Sequence, residues 1–182
     1  MVGTDTGVGK TVFSGLFARY FMDAGVGVRA VKPFCSGGKG DIEFLAAAQG
    51  GVGQAEVNYW YSEEPISPAA AELRLGQAID FEGSAEWVLR GEGGSRKAGV
   101  EAGVLLVEGV GGLLAPLAKG KTVASLGKAI EAQLIVVAPN RVGVINQVLL
   151  TVEAATERGL EVACVVLMGQ KEPDVSSLDN AS

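Results

Sequence analysis

The sequence predicts an α/β fold of three layers, with a mostly parallel central sheet between helices. Two observations carry this. Apolar runs of four to seven residues recur, each followed by glycine or polar residues and then by a stretch of helical period, the rhythm of strands joined by crossover helices. The runs are also near-continuously apolar rather than alternating, as strands are when both sheet faces are covered.

Taken in order, the strands fall at residues 26–31, 104–107, 134–138 and 162–168. A helix is expected over 11–24, where Val12, Phe13, Leu16, Phe17, Tyr20 and Phe21 form an apolar stripe and Gly25 supplies a stop. A short helix over 42–48 opens at Asp41, and Pro68 sits near the first turn of another. Val144, Ile145, Val148, Leu149 and Val152 mark a helix over 144–158, stopped by Gly159. The segments 91–99 and 170–182 are polar and expected to be mobile. No internal repeat or interdomain linker is visible, and 182 residues suit a single domain spanning 1–182. Both ends read as short for this architecture, because only Met1 and Val2 precede the first glycine and the tail stops where another strand is expected.

Composition narrows the chemistry. A formal charge of −6 argues against a nucleic-acid partner, which needs a basic face to release counterions. No apolar run approaches the roughly 18 residues of a membrane span, and no basic-then-apolar leader opens the chain, so no membrane association and a cytoplasmic location are expected. The sequence has no histidine, which closes off the commonest general base and transition-metal ligand. Lys, Asp, Glu, hydroxyls and backbone groups must do the work. Cys35 and Cys164 stand far apart in sequence with no partners nearby, as reduced and inert thiols do. Glycine, at 27 residues, is about twice its usual share of roughly 7%, and it clusters at particular loops.

The richest of those loops is GTDTGVGKT, residues 3–11, directly before the first helix. Its backbone N–H groups and the positive helix end suit an anion, Lys10 can reach β/γ-phosphates, and the Thr11 hydroxyl can ligate Mg²⁺. The fold class is therefore P-loop NTPase-like. Asp5, Thr6, Gly7, Val8, Gly9, Lys10 and Thr11 are the nucleotide-binding candidates. Thr4 stands where the usual G-x-x-x-x-G-K-[ST] spacing puts its first glycine. Glu108 ends a buried strand ahead of Gly109, Gly111 and Gly112, at the sheet edge where α/β folds bind ligands; it is either a solvated strand end or a Mg²⁺ ligand. Lys32 occupies the same edge, as a surface lysine or as a point charge for phosphate oxygens. Asp41 reads as a helix N-cap, a metal-shell carboxylate, or both. Gly143, Val144, Ile145 and Asn146 open a helix whose free N–H groups suit a carboxylate, although an ordinary helix start reads the same way.

Together GTDTGVGKT, VKPFCSG followed by Asp41, EPISPAAA, VEGVGGLLAPL and RVGVINQVLLTVEAATERGL closely resemble the dethiobiotin synthetases, over nearly the whole chain. The resemblance implies an ATP- and Mg²⁺-dependent cyclo-ligase of biotin biosynthesis, acting on 7,8-diaminononanoate and CO₂ as a homodimer with its sites at the subunit interface. It implies catalytic roles for Thr6, Lys10 and Lys32 at the transferring phosphoryl group. Lys32, Ser36, Glu108 and Gly111 would face the substrate, with Gly143, Val144, Ile145 and Asn146 binding the carboxylate of the substrate held by the neighbouring subunit. Thr11, Asp41 and Glu108 would hold Mg²⁺. Met168-Gly169 stands where some family members carry an asparagine that reads adenine, so relaxed base discrimination is expected, since a thioether cannot donate a hydrogen bond.

Three other readings compete. Partition and septum-positioning switch ATPases share the fold class but usually carry a lysine near the start of the phosphate loop, and residues 1–9 contain none. Amidoligases of the cobyrinate or CTP synthetase kind usually continue into a glutamine-hydrolysing domain. A catalytically silent binding module would retain the fold alone.

Overall fold

Parallel strands require crossovers long enough to return the chain to the same sheet edge, and the helices here supply them. The computed structural model describes residues 1–90 and 102–181. In chain order the elements are β1 (Val2–Gly3), α1 (Lys10–Asp23), β2 (Gly27–Val31), β3 (Phe34–Ser36), α2 (Gly40–Ala48), α3 (Gln54–Val57), β4 (Trp60–Ser62), α4 (Pro68–Leu75) and α5 (Phe81–Arg90). There follow β5 (Ala102–Val107), β6 (Pro116–Ala118), β7 (Lys121–Thr122), α6 (Val123–Ala129), β8 (Leu134–Pro139), α7 (Val144–Glu157), β9 (Val162–Met168) and a 3₁₀ turn at Val175–Leu178.

β1, β8 and β9 pair in parallel, and so do β2 and β5. The Gly109 N–H donates to the Met1 carbonyl at 2.9 Å, and the Met1 nitrogen donates to the Val107 carbonyl at 2.7 Å. These bonds put β5 beside β1, so the main strands run β2-β5-β1-β8-β9. Short β3 and β4 pair in parallel, and β6 and β7 form a hairpin. Although β1 has two residues, Val2 and Gly3 register against Val136 and Val137, and the Thr4 N–H reaches the Val137 carbonyl at 3.0 Å. That fixes where the phosphate loop leaves the sheet.

Two apolar clusters flank the sheet. One gathers Val136 with residues of α5, α6 and α7; the other gathers Ala30 and Leu106 with residues of α1 and α2. Val136 belongs to the first and Ile135 packs on the second, as successive residues of one strand must when their side chains point to opposite faces.

Several expectations need correction. In α1 the face turned inward is Lys10, Ser14, Gly15 and Ala18, whereas Val12, Leu16 and Tyr20 of the apolar stripe are exposed. Small residues face inward because α2 crosses closely: a Cβ on Gly15 would lie 2.4 Å from Phe44 Cε1. Asp41 is not an N-cap; Lys39 holds that position and Asp41 lies within the first turn of α2. Among the described residues β9 is the outermost strand of β1-β8-β9, and Ala163, Cys164 and Val165 on it are exposed, where the sequence predicts a strand covered on both faces. The tail is tied down rather than loose: the Val142 N–H donates to Asp174 Oδ2 at 2.8 Å, and Asn140 Nδ2 donates to the Ser177 carbonyl at 2.9 Å. The expectation for 91–99 lies outside the described residues. Helix stops at Gly25 and Gly159 are present, both at positive φ.

β2 shows how a side chain can finish a sheet. On the edge away from β5, Gln49 Oε1 accepts from the Ala30 N–H at 2.7 Å, and Gln49 Nε2 donates to the Ala30 and Leu45 carbonyls at 2.8 and 3.0 Å. The amide thus stands in for a neighbouring strand next to the Lys32 exit. Gln49→Ala should lower the unfolding free energy by roughly 1–3 kcal/mol, the range for leaving a buried donor unpaired. Urea melts would register the loss as a lower midpoint, and an unchanged midpoint would show that water replaces the amide at no cost.

Candidate functional site

The phosphate loop owes its shape to glycines at two points. Gly3 cannot carry a side chain, because a Cβ there would lie 2.6 Å from the Asp5 carbonyl and 2.9 Å from Lys10 Nζ. Gly9 caps α1 in the left-handed region at φ 96°, and a Cβ on it would press on the Met168 thioether at 3.0 Å. Within the loop the Thr6 N–H donates to Asp5 Oδ1 at 2.7 Å, while buried Lys10 turns back and donates from Nζ to the Asp5 carbonyl at 3.0 Å.

Facing this loop is a cluster built from three elements. Glu108, at the end of β5 and only 1% exposed, accepts at Oε1 from Lys32 Nζ at 2.6 Å and from Thr11 Oγ1 at 2.7 Å. Lys32 Nζ also lies 2.8 Å from Asp41 Oδ2. Lys32 is held from both sides of its backbone: its N–H donates to the Val57 carbonyl at 2.8 Å, and its carbonyl accepts from Asn58 Nδ2 at 2.8 Å. Asn58 carries no motif, so sequence reasoning passed over this bracket.

The two lysines differ electrostatically. Burial pushes the Lys10 ammonium below its ordinary value, and the nearby Lys32 charge adds to that fall. Burial would push Lys32 down as well, but Glu108 and Asp41 outweigh it and hold its pKa above the usual value. Asp41 is raised by burial yet ends low, because Lys32 beside it favours the carboxylate. Burial raises the Cys35 thiol, in keeping with an inert cysteine.

Thr6, Gly7, Gly9, Lys10, Thr11, Lys32, Ser36, Asp41, Glu108 and Gly111 line one cavity of about 430 Å³. The far wall, Pro65, Ile66, Ser67 and Pro68, comes from the loop before α4, in a stretch from which no chemistry could be read. Its approach depends on Gly37, at φ 82°, where a Cβ would fall 2.7 Å from Pro65 Cβ. A second cavity of about 350 Å³ lies across the loop, with Asp5, Thr6, Gly7, Val8 and Gly9 on one side and Pro139, Arg141, Met168, Gly169 and Gln170 on the other. Arg141 and Gln170 were not singled out from the sequence. Gly143, Val144, Ile145 and Asn146 line neither cavity; they open α7 with Gly143 at φ 88° and Ile145 exposed.

The donor set suits a hard cation. Thr11, Asp41 and Glu108 offer only oxygen ligands, and Glu108 Oε2 is buried with no hydrogen-bond partner among the described residues. An unpaired carboxylate oxygen at this depth is costly unless a cation or donor meets it.

The chain is similar to known proteins over most of its length. The AAA domain family matches residues 1–181. An ATP-dependent dethiobiotin synthetase BioD of Anaeromyxobacter dehalogenans (strain 2CP-C) is 36% identical over 172 residues, covering 92% of this chain and 74% of the relative. Proteins of the same name from Bacillus cereus (strain B4264) and Corynebacterium glutamicum (strain R) are each 35% identical, over 94% and 98% of this chain and 71% and 77% of their own lengths. With a phosphate loop, two lysines and an oxygen-rich cluster around one cavity, and similarity of this extent, the chain belongs to the ATP-dependent dethiobiotin synthetase family.

Proposed function

We propose that the chain carboxylates 7,8-diaminononanoate with CO₂ and closes it to dethiobiotin, converting ATP to ADP and phosphate. The observation that carries this reading is the placement of Lys10, Lys32, Thr11 and Glu108 around one cavity beside the phosphate loop. The chemistry needs no histidine. One substrate amine adds to CO₂ through its lone pair and loses a proton, giving a carbamate. A carbamate oxygen attacks the γ-phosphorus and ADP leaves. The second amine then attacks the carbonyl carbon and loses a proton, the C–O bond breaks, and phosphate departs with the bonding electrons as the ureido ring closes. Phosphoryl transfer of this kind is governed by positioning and charge neutralisation.

Each residue then has a task. Lys10 and Lys32 place two fixed positive charges at the transferring group, and the Thr6 hydroxyl faces it from the loop. Lys32 and Ser36 orient the carbamate. Thr11, Asp41 and Glu108 would hold Mg²⁺, which when bound offsets the charge on the phosphate oxygens. The cavity across the loop takes the base end of the nucleotide, against Met168.

Gly143, Val144, Ile145 and Asn146 serve the reaction only if they reach a second copy, and Ile145, Leu149 and Leu150 give α7 an exposed apolar face. A homodimer in which this helix start binds the carboxylate of the partner's substrate accounts for both features. No helix among the described residues is long and apolar enough to cross a membrane.

The direct test is incubation with diaminononanoate, bicarbonate, Mg²⁺ and ATP, followed by mass detection of dethiobiotin; soluble, folded protein that forms none would end this reading. Lys10→Ala, Lys32→Ala and Glu108→Ala should each reduce turnover about tenfold or more, the scale for losing one charge-stabilising group. Lys10→Met should also raise the unfolding temperature. Because the folded-state pKa of Lys10 lies below its unfolded value, its protonated form is disfavoured by folding at neutral pH, and removing the charge relieves that burden. A lower melting point in Lys10→Met would contradict the electrostatic account. Turnover with GTP and CTP should stay within about tenfold of that with ATP, a window of about 1.4 kcal/mol, and a wider gap would show that the Met168 pocket does read the base. Finally, mixing the weakened Lys10→Ala with a weakened Asn146→Asp should raise activity above that of either alone, since one site of the mixed dimer is intact; no gain after subunit exchange would place each site within one chain.

A further inference from the structure

The segment after β9 makes a set of polar contacts that converge on one turn. Asn140, Arg141 and Val142 link β8 to α7, and every hydrogen bond from this turn to the tail involves residues 174–180. Asp174 uses its two oxygens differently. Oδ1 accepts from the Ser176 N–H at 3.0 Å and from Ser176 Oγ at 2.6 Å, closing the tail's own 3₁₀ turn, while Oδ2 accepts from the Val142 N–H at 2.8 Å. Asn180 Nδ2 donates to Asn140 Oδ1 at 2.8 Å, and Asn140 Nδ2 donates in turn to the Ser177 carbonyl at 2.9 Å. Asn140 is thereby held at both ends of its amide. Its backbone N–H donates to the Met168 carbonyl at 2.8 Å, which also accepts from Gln170 Nε2 at 2.9 Å. The turn, Met168 and Gln170 are therefore tied into one hydrogen-bonded unit.

That unit is one wall of the cavity across the phosphate loop, where Arg141, Met168 and Gln170 stand opposite Asp5 and Gly9. Arg141 lines the cavity and forms no ion pair within 4.0 Å among the described residues, although its charge acts on the Asp174 carboxylate. The tail is not held by apolar burial, since Val175 and Leu178 are 90% and 88% exposed. Its docking rests on the polar bonds just named. Bonds from Ser176 and Val142 keep the Asp174 carboxyl below its usual range, so it accepts both contacts as a carboxylate at neutral pH.

We propose that residues 174–180 form a strap, with Asp174 and Asn180 as positioning residues that hold the Asn140, Arg141 and Val142 turn, and through it Arg141 and Met168, against the base end of the bound nucleoside triphosphate. The inference rests on the reading of this cavity as the nucleotide's. It assigns a role in nucleotide affinity to residues that touch no reacting atom. A strap held by polar contacts alone can be released without unfolding the sheet beneath it, because few apolar groups change their exposure.

The test separates affinity from stability and from chemistry. Calorimetric titration of the intact protein with Mg-ATP, for wild type, Asp174→Ala, Asn180→Ala and the double variant, reads the first. Each single variant should bind Mg-ATP roughly two- to tenfold more weakly, as expected for one lost hydrogen bond. The nucleotide KM should rise by the same factor, with kcat, the KM for diaminononanoate and the melting temperature unchanged. Hydrogen exchange at the Val142 amide should accelerate in Asp174→Ala, which reports release of the turn directly. Undiminished Mg-ATP affinity in the double variant, with that amide exchanging faster, would overturn the proposal. So would a fall in kcat and melting temperature at constant nucleotide KM, which marks a merely structural tail. Wild-type protein that binds no Mg-ATP at all would instead strike down the reading of the cavity, and the strap with it.

Discussion

A carboxylate buried at the end of β5 is the constraint around which the site is arranged. Glu108 has almost no contact with water, so its charge must be met by protein groups, and the chain supplies one from each neighbouring element: Lys32 from the end of β2 and Thr11 from the start of α1. A buried ion left without its partner is strongly destabilising, whereas a satisfied one fixes geometry. Strand order β2-β5-β1 is what makes the satisfaction possible, because it sets Lys32 and the phosphate loop on either side of Glu108. Register follows from the same need: Val31 pairs with Val107, and the Glu108 N–H donates to the Val31 carbonyl at 2.8 Å, so Lys32 and Glu108 leave their strands side by side.

The compensation is incomplete, and the shortfall is where function lies. Lys10 is buried with one backbone acceptor and a like charge nearby, and Glu108 Oε2 has no partner among the described residues. A buried lysine with no ion pair within 4.0 Å among the described residues and an unmet carboxylate oxygen beside one cavity are complementary to a polyphosphate carrying a cation. The fold thus stores unfavourable electrostatics that an anionic ligand with its cation would relieve, which is the general logic of a preorganised site.

Much of this was legible in the sequence, and the legible parts share a cause. The phosphate loop, the strand-ending Glu108 and Lys32, and the helix stops at Gly25 and Gly159 all depend on local pattern, which a linear reading captures. The misreadings concern what covers what. The α1 stripe of Val12, Leu16 and Tyr20 has helical period, yet Gly15 and Ala18 face inward, because close packing of α2 matters more there than hydrophobicity. β9 is as apolar as a central strand, yet it is outermost among the described residues. Asn58 and Gln49 hold backbone groups across long sequence separations, and an isolated amide gives no signal of that. The Pro65 to Pro68 wall and Arg141 reach the cavities only through tertiary approach.

The two partners of Lys32 are unequal, and the inequality bears on how the site could admit a ligand. Asp41 keeps 48% of its side-chain surface exposed, against 1% for Glu108, so solvent competes with its ion pair and breaking that pair costs less than breaking the one to Glu108. Under the proposed reaction, Lys32 can exchange Asp41 for a phosphate or carbamate oxygen while its bond to Glu108 persists. The exchange also frees Asp41 to turn toward a cation. A lysine anchored on one side and replaceable on the other keeps its position through the reaction, and a symmetric pair of buried carboxylates would not permit that.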